Sequence, residues 1–364
     1  MKKSIFALIL ILLVLAMIIF FNLLYYQSSN SHSSGAVMST SQRFKDKVIF
    51  ITGGTSGIGL ATAVQFANAG AAHVIVCGRD AKKWEVAQSY IQAHVIKDQA
   101  KVLEYWPCDV RVESEMKNII GKIFDIYGRL DVAFNNAGVS PGIQPGGSDM
   151  DNMHFESMLG EDGAILFSLA APQPTSKNAT DKSWQMNDPT QAQLNSNYRE
   201  NPMATSMFGV LNSMKWEIYH VFQRQPKNIP FAIVNTASRN GIIPDPNRPL
   251  YAASKAFIIA LSKSLSNGVA QRSLKENRAM VRINVVAPGP VDTPMERSAF
   301  PGSESNFVAH AAQGVPMQRV AKPEEIASAV LFLSDSEQAS YITGAILPVD
   351  GGDVASPYIP AVSN

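Results

Sequence analysis

The sequence predicts an α/β fold, a doubly wound parallel sheet with helices on both faces, formed by a single domain. Three observations predict it. Short β-branched and aromatic runs alternate with stretches of helical period over most of the chain. Glycine, asparagine or serine turns follow several of those runs. The residues able to do chemistry fall at those strand ends, where ligands of such sheets lie.

The first unit runs from Val48 to Ile51, through Thr52-Gly53-Gly54-Thr55-Ser56-Gly57-Ile58-Gly59, into a helix with Leu60, Val64, Phe66 and Ala67 on one stripe. Glycines let such a turn bend sharply and approach a diphosphate closely, and the helix start supplies free N–H groups and a positive dipole end. A glycine-rich turn alone is weak evidence, because many are ordinary strand-to-helix connections. His73–Cys77 is the second expected strand, with a helix over 81–96. Val102–Trp106 is the third and leads to Pro107-Cys108-Asp109-Val110. A helix over 113–127 precedes Leu130–Phe134, which runs into Asn135-Asn136-Ala137-Gly138. A long segment, 140–203, then breaks the rhythm. Its Pro, Gly, Ser, Asn and Asp content suits a surface insertion or lid, and it contains a glycosylation triplet at Asn178-Ala179-Thr180. Alternation resumes with a helix over 207–222, a strand over 231–236, a helix over 251–265 and a strand over 281–286. A helix over 323–333 and a strand over 345–349 complete it, before a tail over 356–364.

Composition bounds the class. With 46% hydrophobic residues and 17% charged, the chain can bury a sizeable core. A net charge of +1 without a long basic run gives no reason to expect nucleic acid as a partner. Cys77 and Cys108 have no metal spacing and suit small buried hydrophobes, and His32 has no ligand companion.

The chain begins with an uncharged apolar run, Ile5–Tyr26, long enough to cross a hydrocarbon layer of about 30 Å as a helix. Residues 1–26 are therefore expected to form a membrane anchor. A cleaved signal peptide is the competing reading, though its apolar core is usually shorter, about 7–15 residues. Residues 27–42 read as a polar linker and 43–355 as the folded domain.

Tyr251 and Lys255 stand four residues apart, on one helix face. A phenol with an ordinary pKa of about 10 transfers a proton poorly at neutral pH, and a neighbouring ammonium is expected to lower that value. The pair suits acid–base work on an alcohol or carbonyl, although Tyr-x-x-x-Lys is common on surface helices. Ser238, thirteen residues before Tyr251, could hold a substrate oxygen or merely cap a turn.

Taken together, Thr52-Gly53-x-x-x-Gly57-Ile58-Gly59, Asp109, Asn135-Asn136-Ala137-Gly138, Ser238, Tyr251-x-x-x-Lys255 and Pro288-Gly289-Pro290-Val291-Asp292-Thr293 resemble the classical short-chain dehydrogenase/reductase family. Arg319-x-x-x-Pro323-Glu324-Glu325, Tyr341-Ile342-Thr343-Gly344 and Asp350-Gly351-Gly352 continue the match in the same order. The resemblance implies a Rossmann-type seven-stranded parallel sheet and NAD(P)-dependent interconversion of an alcohol with a ketone or aldehyde. It implies Tyr251 as acid/base, Lys255 as its partner and ribose ligand, and Ser238 as the group orienting the substrate oxygen. Gly53, Thr55, Ser56, Gly57, Ile58 and Gly59 would hold the diphosphate. Asp109 and Val110 would border the adenine, and Asn136, Ala137 and Gly138 would line the cofactor floor. Pro288, Gly289, Val291 and Thr293 would position the nicotinamide.

Gly78 stands where an acid would accept the ribose hydroxyls of NAD, and Arg79 follows it, which favours NADP, with NAD as the alternative. One departure stands out. Ser206 occupies the position of the family's asparagine, which helps hold a water linked to the lysine; Asn201 and Asn212 are weaker substitutes. The anchor makes a lipophilic small-molecule substrate attractive, with specificity in the insertion and in residues 296–315. The resemblance also suggests a homodimer or homotetramer. A catalytically silent NADP-binding sensor or scaffold at the membrane is the alternative function.

Overall fold

A computed structural model describes residues 42–96, 98–139, 203–245, 248–299, 307 and 311–355. The expected anchor over 5–26, almost all of the linker, His32, the bulk of the insertion with Asn178-Ala179-Thr180 and Asn201, and the tail over 356–364 lie outside the described residues. Among the described residues no helix is long and apolar enough to cross a membrane. From Phe44 onward the chain forms one compact unit.

Among the described residues seven parallel strands make one sheet. They are β1 (Val48–Thr52), β2 (His73–Gly78), β3 (Leu103–Pro107), β4 (Val132–Asn135), β5 (Phe231–Thr236), β6 (Val281–Pro288) and β7 (Ile346–Val349), in the order β3-β2-β1-β4-β5-β6-β7. Helices cover both faces: α1 (Gly57–Asn68), α2 (Ala81–His94), α3 (Glu113–Tyr127), α4 (Gly209–Arg224), α5 (Pro249–Lys275), α6 (Pro294–Ala299) and α7 (Pro323–Ser334). β1 reads as an unbroken apolar run because both of its faces are buried. Val48 and Phe50 point into the core with Met116, Ile120, Phe231 and Ile258; Ile49 and Ile51 point into the opposite core with Phe66, Phe134 and Ile326. The winding reverses between β1 and β4, whose Ile49 and Thr52 pair with Val132 and Asn135. That reversal opens the crevice in which such sheets bind ligands.

Two helices depart from expectation. The helix expected over 251–265 spans Pro249–Lys275. Pro249 suits its first turn. Its far half hides from a hydrophobic pattern because serines occupy buried positions. Ser262 and Ser273 hydroxyls donate back to Ile258 and Val269 carbonyls at 2.6 and 2.8 Å, so the buried face stays satisfied without apolar side chains. The helix expected from 207 begins with a π-helical turn, Met203–Phe208, before α4 proper. Such turns are rare and often mark functional positions.

Candidate active site

The crevice is closed by hydrogen bonds between its two banks. The Thr52 hydroxyl accepts from the backbone N–H of Asn136 and Ala137 at 3.0 and 3.1 Å, and Asn136 Nδ2 donates to the Gly53 carbonyl at 3.1 Å. Glycine is required here by space: a Cβ on Gly53 would lie 2.8 Å from Ala137 Cα, and one on Gly59 would lie 2.4 Å from the Gly53 oxygen. The start of α1 has no acidic residue in its first turn and no side-chain cap from Ser56. Its N–H groups and dipole are left for an outside anion, which fits a diphosphate between Gly53 and Gly59, beside Thr55 and Ile58. The turn after β6 reaches the same place. A Cβ on Gly57 would stand 3.1 Å from Thr293 Cγ2, while Gly289 N donates to the Val349 carbonyl at 3.1 Å and Val291 is buried, bridged to Ala321. Gly53–Gly59, Asn136–Gly138 and Pro288–Thr293 thus surround one opening at the carboxyl ends of the strands.

At the end of β2, Arg79 is exposed and follows Gly78, whose α-carbon faces Thr55; a Cβ there would meet Thr55 Cγ2 at 3.1 Å. The next acid, Asp80, is committed to capping α2, where it accepts from Lys82 N at 2.9 Å. Asp109 has a partner that the sequence did not reveal. Its carboxylate accepts from Arg111 through the backbone N–H at 3.1 Å, through Nε at 2.9 Å and through Nη2. Burial alone would raise this carboxyl, but the Arg111 hydrogen bonds outweigh it and hold the pKa low. Val110 is buried against Gly209, where an added Cβ would meet its Cγ2 at 2.7 Å.

Ser238 lies just beyond β5 at the head of a 3-10 turn, Arg239–Gly241. Gly241 packs directly on α5, since a Cβ there would come within 2.7 Å of the Lys255 carbonyl carbon. This close approach brings Ser238 to the α5 face carrying Tyr251 and Lys255. The Ser238 hydroxyl accepts from Asn240 N at 3.2 Å, and Tyr251 beside it is half-buried. Lys255 Nζ is buried, donates to the Thr236 carbonyl at 3.1 Å and lies 5.5 Å from the Tyr251 ring centroid. Ser206, in the π turn, is fully buried, and its hydroxyl has no partner. It meets Lys255 across Gly138: the point where a Gly138 Cβ would stand is 3.4 Å from Lys255 Nζ and 3.5 Å from Ser206 Oγ. Asn212 is engaged elsewhere, donating to the Val110 and Arg111 carbonyls at 3.1 and 3.2 Å.

The electrostatics differ from the sequence expectation that Lys255 lowers the Tyr251 pKa. Burial dominates and raises the phenol, while the polar Ser238 side chain pulls it down. Glu296 adds to the rise, and the charges that oppose it are those of Arg248 and Arg239. Burial also lowers Lys255, to about 8, which weakens it as a source of positive charge. Arg239 is ion-paired with Asp353 at 2.9 Å, and Arg248 lies 3.9 Å from Asp245. Sequence reading missed Arg239, Arg248 and Glu296 as neighbours of the tyrosine. Adjacency to Ser238 and Tyr251 was the available signal for the two arginines. It also missed the polar network below the site. Asn135 Nδ2 donates to Glu217 Oε2 at 3.1 Å and to Asn235 Oδ1 at 3.0 Å, and Asn235 Nδ2 donates to Ser262 at 2.8 Å. Glu217 is wholly buried, and burial pushes it up to about 8. Its place on the buried stripe of α4, with Val210, Met214 and Val221, was a legible sign.

A nucleotide cradle at the sheet's reversal point, with a tyrosine–lysine pair and a serine beside it, defines a nicotinamide-dependent α/β oxidoreductase. Comparison with known proteins agrees. Residues 47–160 match the short chain dehydrogenase family model, and residues 186–353 match one described as enoyl-(acyl carrier protein) reductase. A short-chain type dehydrogenase/reductase of Acanthamoeba polyphaga mimivirus is 35% identical over 345 residues, covering 87% of this chain and 99% of that protein. The 3-oxoacyl-[acyl-carrier-protein] reductase of Thermotoga maritima is 29% identical, covering 85% of this chain and 98% of its own. Levodione reductase of Leifsonia aquatica is 27% identical, covering 88% and 99%. Among solved structures, levodione reductase shares the fold at a TM-score of 0.62 with 24% identity, covering 86% of this chain and all of that one. The aldohexose dehydrogenase of Thermoplasma acidophilum gives 0.60 at 25% identity, covering 88% and 99%. The chain belongs to the short-chain dehydrogenase/reductase family, oxidoreductases that bind NAD(P) and act on small molecules.

Proposed function

We propose that this protein is an NADP-dependent alcohol dehydrogenase or carbonyl reductase in which Tyr251 exchanges the hydroxyl proton of the substrate. The observation that carries the reading is the gathering of Ser238, Tyr251 and Lys255 at the mouth of the glycine cradle: the Ser238 turn packs through Gly241 on the backbone of Lys255, whose Nζ lies 5.5 Å from the Tyr251 ring centroid. Ser238 orients the carbonyl oxygen. The Tyr251 hydroxyl donates its proton to that oxygen in reduction and recovers it in oxidation. Lys255 Nζ, held by the Thr236 carbonyl, presents its remaining N–H donors toward the cofactor ribose and toward Ser206. The nicotinamide, when bound, supplies or accepts the hydride. The unpartnered Ser206 hydroxyl holds a water that links Lys255 onward, in the place of the usual asparagine.

NADP is favoured over NAD by Arg79 and by the commitment of Asp80 to its helix cap, which leaves no free acid for the ribose hydroxyls at this strand end. The substrate is a lipophilic ketone, aldehyde or alcohol. Ile242 and Ile243, which follow the Ser238 turn, and Met295, beside Glu296, are exposed apolar side chains close in sequence to residues of the site, and they favour such a substrate. The relatives' names, a 3-oxoacyl reductase and a levodione reductase, also point to carbonyl reduction. The apolar run 5–26 is proposed to hold the protein at a membrane, where such substrates partition.

The test is a fluorescence titration with NADPH and NADH, followed by turnover on a panel of lipophilic ketones and alcohols, for wild type and Tyr251→Phe. The variant is expected to bind NADPH normally and lose turnover. Turnover unchanged in Tyr251→Phe would remove Tyr251 from the reaction. Binding without turnover in the wild type would favour a cofactor-binding sensor instead.

A further inference from the structure

All the described strands run one way, so the site occupies one pole of the sheet and the strand starts form the other. At that second pole Asp131 N donates to the Val48 carbonyl at 2.9 Å, Ala232 N donates to the Asp131 carbonyl at 3.0 Å, and Phe231 lies opposite Val281. The end of α5 and the loops before β5 and β6 gather basic residues here. Lys227 Nζ donates to the Glu276 carbonyl at 2.9 Å and Arg272 Nε to Glu276 Oε1 at 2.7 Å. The Arg272 and Arg278 guanidiniums lie 4.0 and 4.6 Å from the Phe222 ring centroid. Arg272, Arg278 and Lys227 act together on the Glu276 carboxyl, and exposed Lys275 precedes it in sequence. Arg278 is nine-tenths buried, and its Nε and Nη2 have no hydrogen-bond partner, so that charge is poorly compensated within the fold. In the middle of the cluster Leu274 is 71% exposed.

The folded unit begins at this same pole. Phe44 packs edge-on against Phe66, with ring centroids 4.8 Å apart, and Lys47 lies 3.5 Å from Asp131 at the start of β4. The basic cluster is three strand spacings from β1, about 14 Å away. In sequence, only the polar stretch separates Phe44 from the apolar run 5–26.

We infer that this pole is a docking face for an anionic phospholipid bilayer. Lys227, Arg272 and Lys275 meet the headgroup charges, buried Arg278 adds its positive field from behind them, and Leu274 enters the interfacial layer. Charge complementarity calls for an anionic surface. A lone large aliphatic side chain among long basic ones matches the make-up of interfacial elements, whose aliphatic stems lie along the boundary while their charges stay wet. A bilayer is favoured over an acidic protein because the chain carries a membrane-length apolar run that only the polar stretch 27–43 separates in sequence from Phe44. The active-site crevice lies at the opposite end of the strands, so docking leaves it open.

The test uses residues 42–364, which contain every described strand and which relatives match over nearly their whole length. Without the apolar run, vesicle binding reports on the face alone, independently of the proposed anchor and of turnover. Flotation is measured with phosphatidylcholine vesicles and with vesicles containing about 30% phosphatidylserine. Binding is expected only with the anionic vesicles and is expected to fall with salt. Replacing Lys227, Arg272 and Lys275 together by Gln is expected to weaken it about 100-fold, near fivefold per charge. Leu274→Ser is expected to weaken it about fivefold, with unchanged NADPH binding in both variants as the check on folding. Equal binding to neutral vesicles, or no loss in the triple variant, would overturn the inference. So would self-association of the domain that Leu274→Ser abolishes.

Discussion

Replacing Glu217 by Gln tests the buried network beneath the site through the pH dependence of stability. Glu217 is wholly buried, accepts a hydrogen bond from Asn135, and is pushed up to about 8 by burial. In an unfolded chain a glutamate titrates near about 4.3. Between those two values the native protein keeps a proton that the unfolded chain has released. The stability tied to that proton is fully present below the unfolded pKa and is lost as pH rises through the folded one. One pKa unit corresponds to about 1.4 kcal/mol, so the loss between about pH 5 and about pH 7.5 is about 3 kcal/mol. Glu217→Gln keeps the shape and an acceptor for Asn135 but does not titrate. Urea unfolding followed by tryptophan fluorescence, in both proteins across this range, is the assay. The stability difference is expected to move in favour of the variant by about 3 kcal/mol as pH rises. His220, one turn farther along α4, is lowered by burial and titrates in both proteins, so the difference isolates Glu217. Parallel stability curves would refute a protonated Glu217 in the native fold.

Arg79→Ala is expected to raise the Kd for NADPH at least about tenfold, as loss of a charge-assisted contact does, and to leave NADH nearly unchanged; equal effects on both would remove Arg79 from the 2′-phosphate site. Gly241→Ala places a methyl 2.7 Å from the backbone of Lys255 and must push Ser238 away from α5. It is expected to cost about 1–3 kcal/mol in stability and to lower kcat more than KM, read from unfolding and steady-state kinetics. Ser206→Ala removes a buried hydroxyl that has no protein partner. Stability is expected to hold or rise, while kcat falls and NADPH affinity stays constant; an unchanged kcat would exclude Ser206 from proton movement.

The strands were legible because burial on both faces writes them as apolar runs, and their ends moved by no more than two residues. β4, for instance, spans Val132–Asn135 where 130–134 was expected. Leu130 is fully buried like a strand residue, yet its N–H goes to the Gln225 side chain instead of a ladder, and no sequence pattern signals that. The far half of α5 was illegible because buried serines satisfied by their own helix look polar. At the site, the glycines and the tyrosine–lysine spacing were readable, since each is a local pattern. The Arg111 grip on Asp109, the Arg239–Asp353 pair and the commitment of Asn212 depend on side-chain direction or on residues far apart in sequence. Spacing does not encode these.

The protonation of the two central groups follows from one cause. Burial disfavours charge, so it raises the Tyr251 phenol and lowers the Lys255 ammonium, moving the two pKa values in opposite directions. With Lys255 near 8 and Tyr251 above its ordinary value, the site at neutral pH rests as a neutral phenol beside an ammonium that is still charged. That is the state able to donate a proton to a carbonyl oxygen without prior rearrangement. Running as a base requires the phenolate, so further positive charge must be brought to Tyr251. Arg239 and Arg248 supply part of it, but Asp353 and Asp245 offset them, and Glu296 acts in the opposite sense. In the mechanism proposed above, burial therefore favours Tyr251 as an acid, and its use as a base is conditional on what else occupies the crevice.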